Sequence, residues 1–116
     1  MPLDPQAQAL LKEMKDSGAR PFETMTPAEA RVAALAFKDL GGKPEDVASI
    51  DHRFIPGPTA DLPVWIYRPV GSVAGPLPGL VYFHGSGWVV ANIAVCDSFS
   101  RSLTNRTGCV VIAVNY

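Results

Sequence analysis

The stretch LVYFHGSGWVV, residues 80–90, decides how this chain reads. Leu80, Val81, Tyr82 and Phe83 run without a polar interruption, as in a strand buried on both faces of a parallel sheet. The run breaks at His84-Gly85-Ser86-Gly87-Trp88. Small residues there let backbone N–H groups turn toward a ligand without side-chain obstruction. In open α/β sheets ligands bind beyond the carboxyl ends of the strands, where this loop falls. N–H groups so placed can hold the oxyanion of an acyl-transfer intermediate. A serine between two glycines therefore poses two chemistries: a nucleophile acting through its hydroxyl, or a donor acting through its backbone.

Downstream, residues 97–106 read as a helix with Asp97 as N-cap and Phe99 and Leu103 on its inner side. CVVIAVNY, residues 109–116, reads as a second buried strand. Strand, helix and strand make a βαβ unit with parallel strands. Upstream, residues 49–55 and 62–68 alternate around the turn-rich PGPTAD and predict a hairpin. The loop at residues 70–79, VGSVAGPLPG, joins the hairpin to the decisive stretch.

The first part of the chain is helical. Asp4 precedes Pro5, a cap followed by the residue best suited to the first helical position. Leu10, Leu11 and Met14 share a face, and Gly18 is a stop. Thr26-Pro27-Ala28-Glu29 is a capping box that opens a second helix. Its apolar residues Val32, Leu35, Ala36 and Leu40 recur at helical spacing up to Gly41-Gly42. The fold class is α/β, divided into helices over residues 1–45 and the first strands and helix of a mostly parallel sheet over residues 46–116. The final strand ends at Tyr116 with nothing to cover it, so the chain is expected to be the N-terminal piece of a larger domain.

Composition removes several function classes. The 116 residues carry a net charge of −1, which leaves no electrostatic footprint for nucleic acid or an anionic membrane. No apolar run is long enough for a membrane span, and the N-terminus lacks the pattern of a signal peptide. A cytoplasmic location is the expectation. Cys96 and Cys109 make neither a disulfide framework nor a metal cluster and read as buried free thiols.

The loop and its surroundings resemble the hormone-sensitive lipase family of α/β-hydrolases, which includes many carboxylesterases. That family carries a His-Gly-Gly-Gly loop followed by an aromatic residue after its third strand. Here His84-Gly85-Ser86-Gly87-Trp88 stands in that place, with Ser86 where glycine is usual. Asp97, Arg101, the strand VVIAVNY, the upstream helices and VWIYRP fit the same pattern, so the resemblance covers nearly the whole chain. It implies the N-terminal part of an α/β-hydrolase fold, with Ser86 and Gly87 as oxyanion-hole donors and His84 and Gly85 as loop support. Trp88 is the candidate substrate contact, although tryptophan in such a place is more often a packing aromatic. The N-terminal helices would roof the acyl pocket. The implied substrate is a small-molecule ester, with no cofactor and no metal, and homo-oligomerisation stays open.

The same family places its nucleophile in a Gly-x-Ser-x-Gly elbow, followed by an acid and a histidine. No such elbow occurs in these residues, so the triad is expected in a C-terminal remainder of the same polypeptide. Ser86 as nucleophile would need an adjacent base, and only His52 and His84 are available. His84 is better suited to brace the loop, and His52 falls in the hairpin as a surface residue. The rival reading is a non-catalytic ligand-binding module on the same fold, since fold does not fix function. An elbow with Asp and His behind it would discriminate the two.

Overall fold

The computed structural model describes residues 2–72 and 75–116; Met1 and, within the expected 70–79 loop, Val73 and Ala74 lie outside the described residues. Helix α1 spans Pro5–Asp16, and its cap is the expected one: the Asp4 carboxylate accepts the Gln6 N–H at 2.8 Å. Leu10 and Leu11 of α1 remain exposed. Helix α2 spans Pro27–Ala33 and opens with the complete capping box of Thr26 and Glu29.

The single helix expected up to Leu40 instead tightens into a 3₁₀ segment, Ala34–Gly41. A tertiary contact at its far end accounts for the change. The 3₁₀ rise of about 2.0 Å per residue, against about 1.5 Å in an α-helix, carries the chain further per residue. Gly41 thereby reaches Ser98, whose hydroxyl donates to the Gly41 carbonyl at 2.8 Å. A Cβ at Gly41 would lie 3.0 Å from the Ser98 Cβ, so the close approach favours glycine.

Strands β1 (Ser49–Ile55), β2 (Leu62–Arg68), β3 (Gly79–Phe83) and β4 (Val110–Val114) form one mixed sheet in the order β1-β2-β4-β3. The expected hairpin is β1 antiparallel to β2, with Ser49 opposite Arg68 and Ile55 opposite Leu62. The βαβ unit is β3, helix α3 (Asp97–Thr107) and β4, its strands parallel with Leu80 opposite Val111. β2 and β4 pair antiparallel, which closes the sheet.

Four expectations are corrected. The final strand is not at an edge: β4 lies between β2 and β3, and the edges are β1 and β3. β3 is accordingly not buried on both faces, because Val81 and Phe83 point away from α3 and stay exposed. Phe99 is 52% exposed, because its neighbour beneath is Tyr82 on that edge strand, with ring centroids 5.1 Å apart. The core sits on the sheet face that α3 covers, where Tyr67, Ile93, Val111 and Ala113 cluster with Trp65, Leu80 and Leu103 around them. Cys96 and Cys109 are free and half-buried rather than buried. Among the described residues no helix is long and apolar enough to cross a membrane.

Candidate active site

The loop leaving β3 at His84 occupies the carboxyl end of the parallel pair, the place where such sheets present ligand-binding groups. His84 is 4% exposed and held from two directions. Its ring stacks on Tyr116 with centroids 4.6 Å apart and planes 15° apart, and the Tyr116 hydroxyl donates to the His84 carbonyl. Its Nδ1 lies 2.9 Å from the Gly85 carbonyl, which can only accept, so Nδ1 carries the proton. Nε2 is buried without a partner among the described residues.

The backbone beyond is strained. Ser86, Trp88 and Ala91 hold φ values of 118°, 59° and 61°, and Gly87 holds 60°. Positive φ is rare for residues with a Cβ, and such outliers cluster where function requires a fixed geometry. The turn is closed by the Val89 and Val90 N–H groups, both donating to the Ser86 carbonyl at 3.3 Å. Among the described residues nothing accepts a hydrogen bond from the Ser86 or Gly87 N–H. A trans peptide sets its C=O and N–H antiparallel, so pinning the Ser86 carbonyl aims the Gly87 N–H the opposite way.

The Ser86 hydroxyl is hydrogen-bonded to neither histidine among the described residues. His52 is exposed on β1 and stacks on Trp65 with centroids 4.5 Å apart, in the hairpin and outside the loop. Trp88 is 87% exposed, so packing within this chain does not occupy it. A cavity of about 510 Å³ is lined by Phe83, Tyr116 and the loop from His84 to Trp88. A second, of about 390 Å³, adjoins it and brings Arg31, Asn92 and Asn115 beside His84 and Trp88. A separate apolar groove of about 500 Å³ lies between α1 and the 3₁₀ segment, lined by Leu10, Met14, Phe22 and Leu40 among others, and shares no residue with the loop.

Asp97 serves a different purpose from the one expected. It is the first residue of α3 and the cap position falls to Cys96, which makes no side-chain cap. The buried Asp97 carboxylate accepts from the Tyr67 hydroxyl at 3.0 Å and from Arg101 Nε at 2.9 Å. Burial, then the Asp97 charge, pushes the Tyr67 phenol well above its usual range, so it stays a donor. Arg101 also donates to the Glu45 carbonyl at 3.1 Å, which ties α3 to the segment entering β1. The Asp97–Arg101 spacing was readable from the sequence. Tyr67 and the loop contacts of Arg31 and Tyr116 were not, since each partner lies at least 30 residues away.

Comparison with known proteins places this geometry. The α/β-hydrolase fold family matches residues 80–116, the βαβ unit together with its loop. The chain belongs to the α/β-hydrolases. It is 30% identical over 122 residues to an arylesterase of Saccharolobus solfataricus, covering 100% of this chain and 37% of the relative. It is 27% identical over 117 residues to the carboxylic ester hydrolase LipN of Mycobacterium tuberculosis, covering 98% of this chain and 30% of the relative. Among solved structures, an ester hydrolase from the metagenome of Lake Arreo superposes with a TM-score of 0.90 at 36% identity, over 99% of this chain and 38% of that one. A hyperthermophilic esterase of Pyrobaculum calidifontis gives 0.84 at 27% identity, over 100% and 37%. The α/β-hydrolase chain described here thus spans about a third of the length of the curated relatives it matches.

Proposed function

We propose that this chain is the N-terminal portion of a serine carboxylesterase of the hormone-sensitive lipase type, supplying the oxyanion hole through the Ser86 and Gly87 N–H groups. The observation that carries the reading is the pair of uncommitted N–H groups on a pinned, strained loop at the carboxyl end of β3. The names of the relatives, arylesterase and carboxylic ester hydrolase, supply the reaction class. A serine from a C-terminal remainder attacks the ester carbonyl while a histidine takes its proton and returns it to the leaving alcohol. Negative charge gathers on the carbonyl oxygen, and preorganised N–H donors stabilise it there. His84 and Gly85 support the loop, and exposed Trp88 contacts the bound ester. Residues 1–45 act as a roof over the acyl pocket and residues 46–116 as the start of the catalytic sheet. The reading assigns no cofactor.

The test is kinetic and uses the polypeptide with its C-terminal remainder on a chromogenic short-chain ester. Ser86→Ala keeps the N–H and the β-carbon, so turnover should fall by less than about tenfold, far short of the roughly 10²–10³ that follows loss of an oxyanion donor. Abolished turnover in a folded Ser86→Ala enzyme that still binds substrate would make the hydroxyl a chemical participant and overturn this reading.

A further inference from the structure

We propose that Arg31 is a positioning residue for the oxyanion loop, acting from α2 through the Val89 carbonyl. This rests on the reading of Ser86 and Gly87 as donors. Arg31 Nε donates to the Val89 carbonyl at 2.8 Å, across 58 residues of sequence. Val89 in turn donates to the Ser86 carbonyl, joined by Val90, both at 3.3 Å. The Ser86 carbonyl shares a rigid peptide plane with the Gly87 N–H. Arg31 therefore holds Val89, Val89 holds Ser86, and the plane of Ser86 aims the Gly87 donor.

The loop needs an outside hold. Positive φ at Ser86, Trp88 and Ala91 persists only where the surroundings over-determine it, and bonds of 3.3 Å lie beyond the usual hydrogen-bond range. Tyr116 grips the loop at His84, and the Asn115 side chain accepts the Ile93 N–H at 3.4 Å. Between those ends, among the described residues, Arg31 is the side chain from a distant element that bonds to residues 86–90. Arg31 is itself carried on a fixed helix, since the Thr26–Glu29 capping box and the Arg20–Glu29 pair at 3.2 Å tie down the start of α2. The N-terminal helices are thereby coupled to the geometry of the oxyanion hole as well as to the shape of the pocket.

Arg31→Met keeps the aliphatic stem and removes the donor; Arg31→Lys keeps a donor. In the polypeptide with its C-terminal remainder, Arg31→Met should lower kcat by between about tenfold and 10²-fold, the scale of a misplaced catalytic group, with KM changed by less than about threefold. Affinity for a trifluoromethyl ketone, which adopts the tetrahedral oxyanion, should fall by the same factor as kcat. Arg31→Lys should recover most of both. Amide exchange at Val89 and Val90 should quicken in Arg31→Met, with exchange in β2 and β4 unchanged. Unchanged exchange at those amides, or a normal kcat in a folded Arg31→Met enzyme, overturns the proposal. A drop in kcat with unaltered ketone affinity in active-site-titrated enzyme also overturns it, since a displaced oxyanion donor would weaken both together. A parent polypeptide that cleaves no ester sinks the esterase reading instead, and exchange alone then decides whether Arg31 holds the loop.

Discussion

Ser86 sits at φ 118°, an angle glycine adopts freely and other residues rarely do. Holding such an angle costs on the order of 1–3 kcal/mol. Replacing serine by glycine removes that strain but adds freedom to the unfolded chain, worth about 0.5–1 kcal/mol the other way. Ser86→Gly should therefore stabilise the folded protein, by about 1 kcal/mol. The readout is a higher urea midpoint at unchanged slope, while Ser86→Ala, which keeps the β-carbon, should melt close to the parent. A Ser86→Gly midpoint at or below the parent would contradict the strain account. The serine thus reads as a residue tolerated by the loop's surroundings, its backbone donor matching the one a glycine would provide.

Among the elements, α2 shows what local chemistry can dictate. Its capping box was legible because Thr26 and Glu29 are three residues apart and need no distant partner. The Thr26 N–H first, then its hydroxyl, then Arg20 hold the Glu29 carboxylate below the usual range. A carboxylate whose folded pKa is depressed contributes stability that is present above its unfolded pKa of about 4.3 and is lost as pH falls through the folded value. The stability difference between the parent and Glu29→Gln should therefore be constant near neutrality and shrink as pH drops below about 4.3. Chemical denaturation from pH 7 downward measures it, and a difference that stays flat would remove Glu29 from the cap's energetics. Where partners are distant, the sequence misleads. The tail of the same helix turns 3₁₀ because Gly41 meets Ser98, and Asp97 leaves the cap position because Tyr67 and Arg101 claim its carboxylate. The hairpin and the βαβ unit were legible from alternation, apolar runs and turn residues, which are local signals. That β4 would lie inside the sheet and β3 at its edge depends on β2 pairing with β4, a contact no short-range pattern encodes. The Gly-rich loop was legible as a motif, whereas the arginine that holds it was not.

At the scale of the molecule, one sheet face carries the core, while on the other Val81 and Phe83 of β3 stay exposed. The surface is 8158 Å², where a compact protein of this size exposes about 6,100 Å². The radius of gyration is 16.6 Å, where a compact chain of this length gives about 13 Å. Val81 and Phe83 on β3, Leu35 and Leu40 on the 3₁₀ segment and Trp88 on the loop contribute apolar area to that excess. An exposed edge strand with an apolar face pairs readily with another chain, and such surfaces drive association at micromolar concentrations. The 116-residue chain on its own should therefore self-associate in a concentration-dependent way, seen by light scattering. It should also show no esterase turnover above background, because no Gly-x-Ser-x-Gly elbow occurs within it. On the esterase reading, joining it to the proposed C-terminal remainder should remove the self-association that arises from β3, since a further strand would take that edge. Two results would count against this. A monodisperse isolated chain would mean that the exposed apolar side of β3 is not a driving surface. Turnover lost in Ser86→Ala would put the nucleophile in the loop itself, and the strained serine would then have to be read through its hydroxyl after all.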